Sequence, residues 1–383
     1  MTDLDDAVAL SVWPTVPRRR LARMLDALRR RAPSSDRAAG ADADAVIGLL
    51  DHGDPSCRPE QRLEMLLRQL GEASDAPALA RELRDSAAEA MKAATLHSIQ
   101  PIPLGDERYP PLLAAIPDPP VVLWVRGRVA CLGRPSVAIV GSRAATPYGL
   151  EMAQRLGMDT STHGLVVVSG LARGVDSAAH RGALAGAGAT VAVLGSGIDV
   201  IYPPEHRRLA DEIGERGAVV SEFPPGTPPL AYHFPLRNRI ISGLSLAVVV
   251  VEAAERSGSL ITAECALEQG REVMAVPGSV LNLRNGGSHG LLRDGARLVE
   301  SAEDVLDEVG VTPMRRLIGD DPQPEVHPLL GFVPPGEAVD PDSLVHQSGL
   351  DASAVLSALL GLEMSGIVRR VDGGRFVRCE RTC

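Results

Sequence analysis

Four arginines follow the ends of strand-like apolar runs or stand in the loop before the fifth such run. They are Arg143 in "SVAIVGSRAATPYG" (136–149), Arg173 in "SGLARGVDSAAH" (169–180), and Arg237 and Arg239 in "FPLRNRIIS" (234–242). A guanidinium is a planar fork of donors that matches phosphate oxygens and stacks on a base. A glycine turn at a strand end offers backbone N–H groups to the same oxygens. Together they suit a phosphodiester, held by Arg143 beside the Gly141-Ser142 turn. A second reading stands for Arg143: an arginine paired to a structural carboxylate.

Other phosphate chemistries fail on spacing. A dinucleotide loop needs G-x-G-x-x-G and an acidic residue closing the second strand. Here Arg143 stands two places after Gly141, and the second run closes on Ser169-Gly170. A P-loop needs Gly-Lys-Ser/Thr, and the one lysine, Lys92, is far from these turns. No G-x-S-x-G nucleophile elbow is read from the chain, and no H-E-x-x-H. Asp176 and His180 sit four apart, on one face of a helix beginning near 175. They read either as a helix-start carboxylate with a neighbouring histidine or as two pocket-wall residues. No nucleophile or metal cluster completes a mechanism with them, so no cofactor, metal or catalytic residue is expected.

The elements that must position the arginines are legible in the apolar runs. Residues 137–141, 165–170, 190–195, 218–222, 246–252 and 272–278 are short, mostly continuous apolar segments separated by helix-length stretches. Continuous runs mean strands buried on both faces, hence an α/β fold with a doubly wound, Rossmann-like parallel sheet. Its ligand belongs beyond the carboxyl ends of the strands. Gly141-Ser142, Ser169-Gly170, Gly195-Ser196-Gly197 and Pro277-Gly278 gather on that edge, where missing side chains let a ligand approach the backbone.

Around this core the spacing predicts a helical domain at 1–98, structural, a docking module or a helix-hairpin-helix DNA binder, with amphipathic stretches at 18–32 and 59–72 joined by a loop at 32–45. Residues 99–310 form the Rossmann-like domain with its proline-rich approach segment 109–127, in which "VVLWV" is a strand. A linker covers 311–328. Residues 329–383 read as a winged helix: two helices, the second N-capped by Asp351, then strands around a Gly-Gly turn. That second helix, 351–364, carries no Lys or Arg, which favours a protein contact for it. Arg369, Arg370, Arg375 and Arg378 leave a wing-to-backbone contact open.

Composition bounds the function. The chain has 383 residues and a net charge of -10, which argues against a generally basic nucleic-acid binder. Between 135 and 300 there are 14 arginines and 16 acidic residues, so any positive groove must be local. Aromatics make up 3%, leaving the core to Val, Leu, Ile and Ala. No signal peptide or membrane-spanning run is visible, and the five scattered cysteines fit a reduced, cytoplasmic protein.

Read together, the motifs resemble the DNA-processing protein A family (DprA, also called Smf). The stretches are "VAIVGSRAATPYG", "SGLARGVDSAAH", "AVLGSGIDVIYPPEH", "SEFPPGTPPLAYHFPLRNRIISGLS", "VVVVEAAERSGSLITAECALEQGREVMAVPGS" and "GLLRDGARLV", in that order, after "YPPLLAAIPDPP". The resemblance implies a single-stranded DNA-binding protein, not an enzyme. It implies protection of incoming strands, loading of the RecA recombinase in natural transformation, and a homodimer formed through the Rossmann-like domain. It carries over Gly141, Ser142, Arg143, Arg237, Asn238 and Arg239 as DNA-binding residues. Ser169, Gly170, Arg173 and Gly174 join them by neighbourhood. One departure is His289, where many members have an asparagine.

The main rival is an enzyme similar to nucleoside-monophosphate phosphoribohydrolases of the lysine decarboxylase-like group. Those carry P-G-G-x-G-T-x-x-E. If Gly258-Ser259 takes the Gly-Thr place, the glutamate's place falls on Thr262, and Glu264 comes two residues late. A third reading is a protein-docking scaffold with a vestigial pocket, which DNA binding itself would exclude.

Overall fold

The computed structural model describes residues 4–12, 63–64, 67–68, 75–281, 283–311, 328–333, 338–364, 368–371 and 374–378. The helix expected at 18–32, most of that at 59–72, the loop between them and nearly all of the 311–328 linker lie outside the described residues. So do Cys57, Cys379 and Cys383 and the side chains of Arg369 and Arg378. Two compact units divide the chain, residues 1–314 and 315–383.

The first unit is built on a sheet of nine strands. They are β1 (Gln100–Pro103), β2 (Val122–Gly127), β3 (Ser136–Val140), β4 (Val166–Ser169), β5 (Thr190–Leu194), β6 (Ala218–Ser221), β7 (Ala247–Val250), β8 (Glu272–Ala275) and β9 (Arg297–Leu298). Their spatial order is β1-β2-β6-β5-β4-β3-β7-β8-β9. Neighbours from β6 to β9 run parallel. The six expected runs are β3 to β8, each stopping before its closing glycine, proline or carboxylate. "VVLWV" lies in β2, which joins the same sheet antiparallel to β6 and pairs with β1. The sheet is therefore mixed at one edge. β1, with Pro101 and Pro103, has no strand-like pattern, but an outer strand tolerates proline.

Strand side chains alternate between two apolar layers, the reason the runs are continuous. Ala138 and Val140 of β3, and Val248 and Val250 of β7, enter one layer. Val137, Ile139, Ala247 and Val249 enter the other. The helices that cover these layers near the site are α1 (Leu4–Ser11), α2 (Ala76–Leu96), α3 (Pro111–Ala114), α4 (Pro147–Thr162), α5 (Val175–Ala185), α6 (Arg207–Arg216), α7 (His233–Gly243), α8 (Gly258–Glu268), α9 (Gly286–Arg293) and α10 (Ala302–Glu308). α4, α5 and α10 bury their apolar faces in the second layer. α6, α7 and α8 bury theirs in the first, which also takes in Val8 of α1 and Leu83 of α2 beside Ile102 and Trp124. From β3 the chain winds outward through β4, β5 and β6, then returns to place β7 on the other side of β3. That reversal opens a crevice beyond the carboxyl ends of β3 and β7.

The second unit has β10 (Ala338–Val339), α11 (Pro341–Ser348), α12 (Ala352–Met364), β11 (Val368–Arg370) and β12 (Phe376–Arg378), with strand order β10-β12-β11. Leu344, Val355, Leu359 and Phe376 share its core. Asp351 accepts the Ala354 N–H at 2.8 Å, the cap expected of it. This is the helix–helix–hairpin plan of a winged helix. No described helix of the chain is long and apolar enough to cross a membrane.

Candidate nucleic-acid interface

The crevice at the β3/β7 reversal has a volume of about 570 Å³. The turn after β3, residues 141–144, forms one wall. Phe234, Arg237 and Asn238 of α7 form another. Arg256 to Ser259, leading into α8, form a third, with Asp176 on the floor.

The Gly141–Thr146 turn is held from beneath. Ser142 donates its N–H to the Glu252 carbonyl at 2.7 Å. The buried Glu252 carboxylate accepts the Thr146 hydroxyl at 2.6 Å and the Thr146 N–H at 3.2 Å. Thr146 in turn caps α4 by accepting the Gly149 N–H. Gly174, at φ 77°, brings the start of α5 so close that a Cβ there would lie 2.2 Å from the Ser142 carbonyl oxygen. Fixed in this way, the turn sends Arg143 outward over the crevice. Its guanidinium lies 5.3 Å from the Phe234 ring centroid, within cation–π range, with no carboxylate in an ion pair with it among the described residues.

Arg237 is the deeper cation, 3% exposed. Its Nη1 donates to the Gly170 carbonyl at 2.8 Å and to that of Val193, while its Nε has no partner among the described residues. Burial pulls its pKa down to about 10, with Asp176 opposing. Asp176 Oδ2 accepts the N–H groups of Gly170 and Ala172, so this carboxylate braces the turn after β4. Burial raises its pKa, against the pull of Arg237.

Five of the expected site residues therefore meet at the crevice: Gly141, Ser142, Arg143, Arg237 and Asn238. Five lie off it. Ser169 is buried and donates to the Ile139 carbonyl at 2.7 Å. Gly170 lies behind Arg237, leaving no room for a Cβ, which would sit 2.3 Å from Arg237 Nη1. Gly174 supports the turn. Arg173 points away and pairs with Glu205 at 2.5 Å. Arg239 is buried and pairs with the partly exposed Asp118 at 2.9 Å and Glu222 at 2.6 Å. The "LRNR" segment is helix α7, not a loop, and residues two apart on a helix face nearly opposite ways. Arg237 thus enters the crevice and Arg239 the interior.

The crevice also holds groups that the motif reading passed over. Arg256 and Ser257 follow β7 and line it. Ser257 caps α8, whose first residues, Gly258 and Ser259, present that helix's N-terminus to the cavity. The strand-end rule applied to 246–252 would have found them. His180 is not a wall residue: it is fully buried beside Thr190, and burial lowers its pKa to about 3. Contrary to the expectation that the motif is absent, Gly286-Gly287-Ser288-His289-Gly290 has G-x-S-x-G spacing. Ser288 is buried, however, with Oγ accepting the Ala253 N–H, so it is no exposed nucleophile. Among the described residues no His, Cys, Asp and Glu cluster suits a metal.

The DNA recombination-mediator protein A family matches residues 100–310, and the DprA winged helix domain matches residues 317–374. Protein Smf of Escherichia coli (strain K12) is 45% identical over 294 residues, covering 74% of this chain and 78% of that protein. The chain belongs to the DNA recombination-mediator protein A (DprA/Smf) family. The DNA processing protein A (DprA) structure from Streptococcus pneumoniae aligns with TM-score 0.65 and 35% identity, over 80% of this chain and 99% of that one. The Helicobacter pylori DNA processing protein A structure, described for its single-stranded DNA binding mode, aligns with TM-score 0.50 and 28% identity, over 55% and 95%. In this chain His289 Nε2 lies 3.1 Å from the Gly278 carbonyl, in the loop after β8.

Proposed function

We propose that the chain is a single-stranded DNA-binding protein of natural transformation and recombination that shields incoming strands and loads a RecA recombinase. One observation carries the DNA part: a crevice at the sheet's reversal point, walled by a glycine turn and a helix N-terminus, with Arg143, Arg237 and Arg256 around it and Asp176 already bonded to backbone N–H groups. Guanidinium groups and oriented N–H donors suit a sugar–phosphate chain. The single-stranded DNA binding reported for the Helicobacter pylori relative supports the ligand class. In this reading residues 99–310 hold the strand and the winged helix from 329 onward serves a protein contact. The chain works as a cytoplasmic homodimer.

The phosphoribohydrolase reading is less well supported. Thr262 lines the cavity, while Glu264 is exposed and lies off it. Asp176, the carboxylate among the described lining residues, is engaged through Oδ2 with the Gly170 and Ala172 N–H groups. The deciding experiment is a binding titration with single-stranded and duplex DNA at two salt concentrations, alongside an assay for free base from a purine monophosphate. Preferential, salt-sensitive binding of the single strand supports the proposal. Release of base, or equal weak binding of both DNAs, rejects it.

A further inference from the structure

The loop from β8 to α9 carries two aliphatic side chains into solvent: Val280 is 81% exposed and Leu281 95%. The loop is pinned around them. Tyr148 donates its hydroxyl to the Pro277 carbonyl at 2.9 Å, and the Leu281 N–H reaches Ser279 Oγ at 3.2 Å. Asn285 Nδ2 donates to the Ser279 carbonyl at 3.3 Å. The Arg284 guanidinium donates to the carbonyl of Ala144, which belongs to the crevice wall. The loop is thus tied to the Arg143 turn, and its apolar tip is left exposed.

Bases are the apolar parts of an unpaired strand. Single-strand binders commonly rest them on aromatic faces, and aliphatic side chains also wedge against bases. Aromatics are scarce in this chain, with four Phe, four Tyr and two Trp. Phe234, at the crevice, lies under Arg143. Tyr148, 46% exposed, is bonded to the loop through its hydroxyl. An exposed patch this small is a poor protein-docking surface, and its link to a cationic wall favours a polyanion whose bases are free.

We infer that Tyr148, Val280 and Leu281 form an apolar ledge that receives the base of the nucleotide next to the crevice. An unpaired strand is then held by its phosphates and its bases together, and a duplex, whose bases are stacked inside, is not. This rests on the single-stranded DNA reading.

The test uses the full chain and anisotropy titrations with an oligo-dT and an abasic oligomer of equal length, at two salt concentrations. The Val280→Ser/Leu281→Ser double variant alters exposed groups only, and a melting curve checks its fold. It should bind oligo-dT about five- to tenfold more weakly. Its salt slope should match the parent's, because no phosphate contact is lost. On the abasic strand the two proteins should bind alike. Leu281→Ser alone should show a smaller loss of the same pattern. Unchanged affinity for oligo-dT overturns the ledge, as does an equal loss on both oligomers. A parent chain that binds neither oligomer rejects the DNA reading itself, and the ledge with it.

Discussion

Glu252, just past the end of β7, accepts the Thr146 hydroxyl at 2.6 Å and the Thr146 N–H at 3.2 Å. One buried carboxylate thereby couples the central strand pair to the turn that bears Arg143. Its removal leaves two part-buried Thr146 donors unpaired, a loss of about 1–3 kcal/mol. Glu252→Ala is expected to lower stability by that amount in urea unfolding. It should also weaken single-strand binding under conditions where the variant is fully folded, because the Arg143 turn loses its anchor. Full binding by the folded variant would show that the turn needs no such support.

Arg143 and Arg173 make a matched pair of exposed arginines with opposite expectations. Arg143 overhangs the crevice without a carboxylate, while Arg173 is engaged with Glu205 away from it. Each phosphate neutralised on a single strand contributes about -0.7 to the log–log salt slope. Arg143→Ala should weaken oligo-dT binding and make the slope shallower by about 0.7, with melting temperature unchanged. Arg173→Ala should leave affinity and slope alone. Equal effects of the two substitutions would mean that the crevice does not define the strand's path.

Arg239 answers a different measurement. It is held by Asp118 and Glu222 inside the unit, and these carboxylates keep its charge stable against the cost of burial. Breaking one side of a fully buried ion pair costs about 3–5 kcal/mol, and the part exposure of Asp118 and Glu222 sets this cluster at the lower end. Arg239→Ala is expected to destabilise on that scale in urea titrations. A variant of ordinary stability with weakened DNA binding would place Arg239 at the DNA instead.

How far each residue was legible follows from the period of its element. Both faces of β3 to β8 are buried, so the strands announce themselves as continuous apolar runs, and the strand-end turn around Gly141 to Arg143 comes with them. Arg237 and Arg239 look equivalent in sequence, and only the helical turn between them separates cavity from interior. Arg173 needed its partner Glu205, 32 residues away, to be read correctly. Glu252 and Asp176 act on backbone groups brought close by the fold, and nothing in their own neighbourhoods signals that. β1 was invisible because an outer strand with two prolines has no pattern to show.

His180 gives a prediction in pH. Thr190 donates its hydroxyl proton to the Val167 carbonyl at 2.7 Å, so its oxygen must accept from His180 Nδ1 at 2.7 Å. The neutral ring therefore carries its proton on Nδ1, and Nε2 faces the interior without a partner among the described residues. Protonating Nε2 would bury a charge with no acceptor, which is why the folded pKa falls to about 3 from an ordinary 6.5. Between those values the unfolded chain binds the proton and the folded chain does not, so stability falls as pH drops below 6.5. His180→Asn keeps an N–H donor for Thr190 and removes the titration. From pH 7 to pH 5 the variant should lose about 2 kcal/mol less stability than the parent. Urea titrations at the two pH values measure this directly. Parallel losses in the two proteins would mean that His180 takes up its proton in the folded state.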